Sequence, residues 1–345
     1  MRRKRAALKP AIGKGDVIRS PCRRRIFDCA AAQGPAKWRR LGNTCSARAA
    51  LRRSFMSGTG FPPPRACDCH AHVIGPKSRF PLAPHRAYTP VDAPMEALTS
   101  MLGRLGLERI VLIQTSIFGT DNSCMLDAVA RLGDRARAVA VVPDDAEGSM
   151  LDSLHRQGVR GLRVNLATLG MNDPGPARAK LRAAAALCAR NGWHVQLFTR
   201  PGTIEALESD LARLPVPVSL DHFGLLSPAG ETASAEAAVL RLLGSGNIWV
   251  KISGSYRLTP ADDDAATAGL ATRLRAANRE RIVWGSDWPH TPTHSGTATT
   301  SDGETHYRDL DTAALLDTVR RWFDATAQHE ILVANPARLY GFGTI

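Results

Sequence analysis

The sequence predicts an α/β protein that folds as a distorted (β/α)8 barrel, a ring of eight parallel strands surrounded by helices. From residue 66 onward, eight short β-rich segments alternate with Ala-, Leu- and Arg-rich helical segments, and roughly 25 to 35 residues separate successive strands. Most of the eight segments are continuously apolar, which is typical of strands buried on both faces. Polar residues interrupt them mainly at their carboxyl ends, the side of a barrel on which active sites form.

The eight predicted strands cover residues 68–73, 109–116, 137–142, 161–166, 194–199, 216–222, 247–253 and 281–287. Helical segments such as 177–190 and 204–214 lie between them. Two insertions, at 75–94 and 291–305, follow strands at the predicted active-site side. A doubly wound sheet is the structural alternative. It usually has a Gly-rich phosphate loop after the first strand, where this chain has His-Ala-His.

The formal net charge of +13 comes from the amino-terminal segment. Residues 1–55 hold 16 of the 45 Lys and Arg but only two of the 32 acidic residues, so the rest of the chain is nearly neutral. We therefore leave residues 1–60 out of the fold and predict that residues 61–345 form the barrel. The basic segment suggests a nucleic-acid-binding protein as an interpretation of another class, and the near-neutral body argues against it.

Three interpretations of residues 1–60 stay open. The segment is a mis-assigned start with Met56 as the true first residue, a disordered basic arm, or a targeting leader. It lacks the apolar region of a secretory signal peptide.

No stretch reaches the roughly 18 apolar residues that a membrane span needs, so we expect no membrane association. The seven cysteines match no disulfide framework and no zinc ribbon, which favours a reducing cytoplasm. Cys67 and Cys69 alternate with Asp68 and His70, and we expect the two cysteines to face the barrel wall. A monomer and a homodimer are both compatible with the sequence.

The first strand brings two histidines into a buried segment. His70 and His72 are two residues apart, so they share one face of the strand, and Asp68 is expected below them on the same face. An isolated His-x-His is often a surface feature. Its place inside a buried strand favours a functional role.

The sixth and eighth predicted strands end in acidic residues. Asp221 is followed directly by His222, and Asp287 follows an apolar run at the end of the last strand. Either aspartate alone is compatible with a turn or a helix cap. Three imidazoles and a carboxylate that converge on one pocket suit hydrolysis, since the carboxylate of Asp287 can accept a proton from water. The imidazoles can polarise a carbonyl or hold a metal that does so.

Arginines form a second group of candidate site residues. Arg163 lies in the fourth strand and Arg257 follows the seventh, while Arg200 ends the fifth and Arg160 begins the fourth. A guanidinium binds a carboxylate through two parallel hydrogen bonds, so arginines at a barrel mouth indicate an acidic substrate. The alternative is ordinary surface arginine.

Hydroxyl and amide groups complete the predicted pocket. Gln114, Thr115 and Ser116 end the second strand, and Tyr88 lies in the first loop. Each can donate a hydrogen bond to a substrate. For Tyr88, packing within the loop is the alternative.

Several motifs together resemble the amidohydrolase-related family of the amidohydrolase superfamily, and within it most closely the 2-pyrone-4,6-dicarboxylate lactonase group. The resemblance covers about residues 66–342. The motifs are Asp68-Cys-His-Ala-His-Val-Ile-Gly-Pro, Phe80-Pro-Leu-Ala-Pro, Tyr88-Thr-Pro, Gly158-Val-Arg-Gly-Leu-Arg-Val-Asn, Asp221-His-Phe-Gly, Trp284-Gly-Ser-Asp-Trp-Pro-His and Asn335-Pro-Ala-Arg-Leu-Tyr.

The resemblance implies a distorted barrel that hydrolyses a cyclic ester without a bound metal. By motif, Asp287 would activate water and Arg163 and Arg257 would hold substrate carboxylates. The imidazoles of His70, His72 and His222 would lie around the scissile carbonyl. The match is looser for the substrate contacts of Tyr88 and Ser116.

Two departures from the group change the expected substrate. Leu166-Ala-Thr-Leu-Gly stands where the group has a second arginine, and Phe198-Thr-Arg200 stands where it has a tyrosine and an acid. We expect Arg200 to replace the lost anchor. The pocket would then take a different acid, such as a sugar acid or another ring-cleavage lactone.

The metal-dependent alternative places a single zinc on His70, His72 and Asp287 in an amidohydrolase or decarboxylase. Metal-dependent relatives usually have another histidine at the end of the fifth strand, whereas His194 stands at its start. No Lys or Glu ends the fourth strand to bridge two metals. We therefore expect no cofactor. An isomerase of sugar lactones fits the same pocket.

Overall fold

The computed structural model describes residues 60–168, 170–171, 173–258, 263–292 and 303–343. Eight strands form one parallel sheet in which each strand pairs with the next along the chain. The strands are β1 (Cys67–Ala71), β2 (Arg109–Ile113), β3 (Ala136–Ala140), β4 (Val159–Asn165), β5 (His194–Phe198), β6 (Val218–Leu220), β7 (Ile248–Ser253) and β8 (Ile282–Gly285). This arrangement confirms the (β/α)8 barrel. Except for Gly60, the predicted extension 1–60 lies outside the described residues, as does most of the insertion 291–305.

Helices follow the strands and cover their outer faces. They are α1 (Met95–Leu105), α2 (Ser123–Leu132), α3 (Gly148–Arg156), α4 (Pro174–Ala189), α5 (Pro201–Ala206), α6 (Glu208–Ala212), α7 (Ala233–Gly244), α8 (Asp264–Ala277), α9 (Thr312–Trp322), α10 (Ala325–His329) and α11 (Asn335–Tyr340). The helical segment expected at 204–214 is two short helices, because Leu207 leaves helical geometry (φ −106°, ψ 11°). In the described ranges, every helix is too short or too polar to cross a bilayer.

The first and last strands close the barrel at their carboxyl ends. The Asp287 amide donates to the His70 carbonyl (2.7 Å), and the His72 amide donates to the Trp288 carbonyl (2.8 Å). Gly285 makes this approach possible, since a Cβ there would lie 2.5 Å from the His70 Cβ. Closure therefore joins the two segments that carry three of the four predicted catalytic residues, His70, His72 and Asp287.

One cluster of buried apolar side chains lies inside the barrel. Its members come from β1, β2, β3, β7 and β8, and side chains of so many strands can meet only inside a barrel. The cluster consists of Cys67, Cys69, Val111, Ile113, Val139, Trp249 and Val283, with Tyr340 and Phe342 packed against them. The expectation that the two cysteines face the barrel wall, away from this interior, was wrong.

The expected position of Asp68 beneath the two histidines was also wrong. Asp68 alternates with the inward-facing Cys67 and Cys69, so it lies on the opposite face of β1. Its Oδ1 accepts hydrogen bonds from the backbone amides of His70 and Ser286. The pairing register shifts between Asp68 and Ala71, and this irregularity breaks the two-residue period on which the expectation depended.

Candidate active site

A cavity of about 110 Å³ opens at the carboxyl ends of the strands. Its lining includes eight of the nine site residues predicted from the sequence, namely His72, Tyr88, Ser116, Arg163, Arg200, His222, Arg257 and Asp287. The ninth, His70, is fully buried and does not line the cavity. Arg160, at the start of β4, bonds the carbonyls of His155 and Val159 and does not line the cavity.

Asp287 follows β8 in a left-handed backbone conformation (φ 61°), which is uncommon for aspartate and often marks a functional site. The two oxygens of its carboxylate differ. Oδ2 accepts hydrogen bonds from the Tyr256 hydroxyl (2.7 Å) and from Arg257 Nε (2.5 Å). Oδ1 is buried and has no hydrogen-bond partner among the described residues.

Three imidazoles surround this unpartnered oxygen. The Nε2 atoms of His70 and His72 lie 3.7 Å from Asp287 Oδ1, and Nε2 of His222 lies 4.0 Å away. These distances are too long for direct hydrogen bonds. The ligand atoms of His70, His72 and Asp287 are close enough together to hold a metal ion.

The opposite nitrogen of each ring faces a polar group. His72 Nδ1 lies 2.8 Å from the Ile113 carbonyl, which can only accept, so Nδ1 carries the proton. His70 Nδ1 lies 3.3 Å from an Asp221 carboxylate oxygen. Both rings therefore turn Nε2 towards Asp287. His222 Nδ1 contacts the Ser253 hydroxyl (3.0 Å), which can donate or accept.

Burial sets the charge state of the site. It lowers the pKa of His70 well below its ordinary value, and it lowers the pKa of His222 to about 4. Burial alone would raise the pKa of Asp287, but the Arg257 guanidinium and the contacts with the three histidines together outweigh burial and hold that pKa well below its usual range. Near neutral pH the site therefore combines an ionised Asp287 with neutral imidazoles at His70 and His222.

A buried polar network beneath the cavity supports His70. Lys251 Nζ donates to Gln196 Oε1 (2.6 Å) and to the Cys69 carbonyl (3.0 Å), and it lies 3.6 Å from Asp221 Oδ1. Gln196 Nε2 donates to Asp221 Oδ2 (3.0 Å). Burial raises the pKa of Asp221, but His70 and Lys251 outweigh it, so the carboxylate stays ionised.

Sequence reasoning did not assign Lys251, Gln196 or Tyr256 to the site. The available signal was their position: Lys251 and Gln196 interrupt strands that are otherwise apolar. Tyr256 stands directly before Arg257 and lies beside the cavity without lining it.

Close backbone packing shapes the wall around Asp287. His222, Phe223 and Leu225 have positive φ angles, which turn the chain sharply after β6. Gly254 (φ 56°) lies between two functional groups, since a Cβ there would be 3.0 Å from His222 Nδ1 and 3.1 Å from Asp287 Oδ2. Only glycine combines this conformation with this approach.

The predicted arginines have different environments. Arg163 is buried, donates through Nη1 to the Gln114 carbonyl (2.8 Å), and has no partner at Nε among the described residues. Besides its contact with Asp287, Arg257 donates through Nη2 to the carbonyl and hydroxyl oxygens of Thr291 (3.0 Å each). Arg200 is exposed at the rim.

The loop residues predicted to contact substrate also reach the cavity. Tyr88 is buried, and burial raises its pKa to about 12, so its hydroxyl keeps its proton. Ser116 begins a short 3-10 helix (Ser116–Phe118) directly after β2.

The donor set also fits a metal ion. Ligand atoms of His70, His72 and Asp287 lie within 4.8 Å of one another, and His70 Nε2 has no partner among the residues described. The other nitrogen of each imidazole faces a carboxylate or a carbonyl, as is usual for histidine ligands of zinc. Two cations near these ligands disfavour binding of a metal ion. Arg257 contacts Asp287, and Lys251 lies under His70.

A family model described as "Amidohydrolase" matches residues 67–342. The chain belongs to this family. It is 32% identical over 286 residues to 4-sulfomuconolactone hydrolase of Rhizobium radiobacter, with 81% of this chain and 91% of that protein covered. It is also 32% identical over 290 residues to 2-pyrone-4,6-dicarboxylate hydrolase of Comamonas testosteroni, with 81% and 90% covered.

Among solved structures, a probable 2-pyrone-4,6-dicarboxylic acid hydrolase of Acinetobacter baumannii with citric acid bound matches with a TM-score of 0.66. The identity is 27%, and the match covers 81% of this chain and all of that one. These findings confirm the family resemblance that the motifs indicated. The chain is therefore a hydrolase.

Replacing Lys251 by Met should destabilise the fold through the buried network. The substitution leaves the Asp221 carboxylate without its ammonium partner, and breaking a buried pair in this way costs about 3–5 kcal/mol of unfolding free energy. Lys180→Met is the matched control. Its partner Asp144 is exposed, so about 0–1 kcal/mol is expected. Urea-induced unfolding measures both, and equal losses would contradict the role given to Lys251.

Proposed function

We propose that this amidohydrolase hydrolyses a small carboxylated lactone without a bound metal, with Asp287 as the general base. The observation that carries the proposal is the distribution of unpartnered buried atoms around the cavity. Two donors, Arg163 Nε and Thr115 Oγ1, and one acceptor, Asp287 Oδ1, have no partner in the described ranges. Each such atom costs about 1–3 kcal/mol when left unsatisfied, so a ligand that satisfies all three is favoured.

The donor side of the cavity suits an anion. Arg163 is permanently charged and donates to the carbonyl of Gln114. Thr115 directly follows Gln114 in the chain, and both Arg163 and Thr115 line the cavity. A carboxylate accepts from a guanidinium and a hydroxyl at once. Arg257 adds positive charge, and Arg200 at the rim is placed to contact a second acidic group.

The acceptor side suits a water molecule. Water donates one proton to Asp287 Oδ1 while its oxygen attacks the lactone carbonyl carbon. The lone pairs of His70 and His72 can accept its other hydrogen bond. The carbon–oxygen bond of the ring then breaks, and the ring oxygen leaves with the proton taken up by Asp287. The product carries one new hydroxyl and one new carboxylic acid, which then loses its proton to solvent.

The histidines divide this work between them. In their supported tautomers, His70 and His72 present lone pairs and cannot polarise a carbonyl by donating a proton. His222 can do so, since the Ser253 hydroxyl donating to Nδ1 leaves the proton on Nε2, and His222 lines the cavity. We therefore narrow the predicted polarising role to His222.

The relatives support the same class of substrate. Two are named for hydrolysis of anionic ring compounds, a sulfonated lactone and a pyrone dicarboxylate, and a structural neighbour is described with citric acid, a polycarboxylate. We propose a carboxylated lactone for this chain. The cytoplasmic location, the monomer or homodimer, and the absence of a nucleic-acid partner stay predictions from the sequence.

A metal-dependent amidohydrolase or decarboxylase is the second candidate. The converging ligand atoms of His70, His72 and Asp287 favour it. These residues would hold the ion, and the metal would supply a water of lowered pKa and polarise a substrate oxygen. We rank it second because Arg257, Arg163 and Lys251 already balance the charges of Asp287 and Asp221.

Replacing Asp287 by Asn should abolish proton transfer from water. Loss of a general base lowers kcat by about 10²- to 10⁴-fold, and the amide is nearly isosteric, so the fold should persist. The measurement is hydrolysis of a panel of carboxylated lactones, with circular dichroism to check folding. Asp144→Asn, at an exposed ion pair, is the control. Full turnover by Asp287→Asn would exclude Asp287 as the base.

Replacing Arg163 by Met should remove the carboxylate anchor. Truncating one partner of a buried charged pair costs about 2–5 kcal/mol, so kcat/KM for a carboxylated lactone should fall by about 30-fold or more. Hydrolysis of an uncharged lactone should change little, since it makes no contact with the guanidinium. Equal losses on the two lactones would show that Arg163 acts on the fold and not on the substrate charge.

A further inference from the structure

The two oxygens of Asp287 are held in unlike surroundings, and Tyr256 accounts for part of the difference. Tyr256 lies in a short 3-10 helix (Ser255–Arg257) that follows β7. Its hydroxyl donates to Asp287 Oδ2 (2.7 Å), the oxygen that also accepts from Arg257. No described residue donates to Oδ1.

The phenol ring is itself held in place. The Arg257 and Arg308 guanidinium carbons lie 5.3 and 5.4 Å from its centroid, and the His290 ring packs edge-to-face at 5.8 Å. Burial and the charge of Asp287 raise the pKa of Tyr256, so its hydroxyl remains a donor at any working pH. Tyr256 therefore offers Asp287 a hydrogen bond of fixed direction.

We propose that Tyr256 is a positioning residue that, together with Arg257, holds Oδ2 of Asp287 and thereby reserves Oδ1 for the proton of water. This inference rests on the proposed function. The Cβ–Cγ torsion of aspartate is broad and nearly two-fold, so one bond from Arg257 would leave the carboxylate freer to turn. A second donor on the same oxygen fixes the torsion angle, so that the other oxygen points steadily at the imidazoles.

Direct contact of Tyr256 with the substrate is not supported by its place in the fold. Tyr256 does not line the cavity, whereas its neighbour Arg257 does. The only hydroxyl proton of Tyr256 is donated to Asp287, which also argues against Tyr256 as the proton donor to the leaving oxygen. Its effect on the reaction therefore passes through Asp287.

The test compares Tyr256→Phe with the matched variant Tyr307→Phe. Tyr307 also donates one hydrogen bond through its hydroxyl, to the backbone carbonyl of Val91, and it does not line the cavity. In Tyr256→Phe, kcat should fall about tenfold or more while KM changes little, because misplacing a reacting group by a fraction of an ångström lowers the rate of the chemical step. In Tyr307→Phe, both constants should stay near those of the wild type.

Two kinetic outcomes would overturn the inference. An unchanged kcat in Tyr256→Phe would show that Asp287 needs no second donor. A raised KM with an unchanged kcat would show that the phenol binds substrate. Thermal unfolding of both variants identifies any loss that comes from the fold alone.

Crystal structures of the two variants test the inference without any substrate. The Asp287 carboxylate should keep one orientation in Tyr307→Phe and take a second one in Tyr256→Phe. An unmoved carboxylate in Tyr256→Phe would overturn the inference. If the wild type hydrolyses no lactone, the proposed function fails, and the crystallographic comparison still decides the role of Tyr256.

Discussion

The structure depends on the burial of two carboxylates inside a barrel. Removing an ionised carboxylate from water costs several kcal/mol unless cations and hydrogen bonds replace the lost hydration. Lys251 and Gln196 compensate the lost hydration of the Asp221 carboxylate. Arg257 and Tyr256 do the same for the Asp287 carboxylate. The positions of the cations at the end of the barrel follow from this requirement.

The same compensation determines what the site can do. Because Arg257 and Tyr256 both donate to Oδ2 of Asp287, Oδ1 has no hydrogen-bond donor among the described residues and lies near the neutral imidazoles of His70 and His222. The cavity lining also presents Arg163 and Thr115 as donors. We propose that an acidic lactone binds with its carboxylate at these donors and its ester carbonyl near the free carboxylate oxygen of Asp287.

Much of this arrangement could be predicted from the sequence. Buried parallel strands are continuously apolar, so all eight were found, and the polar residues at their ends mark one edge of the barrel. For this reason eight of the nine predicted site residues line one cavity. The family motifs and the positions at strand ends assigned mostly the same residues to the site.

What the sequence could not show depends on three-dimensional pairing. Asp68 was misplaced because a register shift after it breaks the alternation of the strand. Lys251 and Tyr256 were not assigned, since their roles rest on contacts with residues far away in the chain, Cys69 and Asp287. Ring orientation was equally hidden, because it is the Ile113 carbonyl that fixes the tautomer of His72.

The measurement that tests the central claim most directly is elemental analysis of the purified protein, combined with lactone hydrolysis before and after exhaustive chelation. We expect less than stoichiometric metal and unchanged hydrolysis in chelator, because we propose that Asp287 activates water without an ion. One zinc per chain, with activity lost on chelation and restored by added zinc, would contradict this proposal. His70, His72 and Asp287 would then be metal ligands.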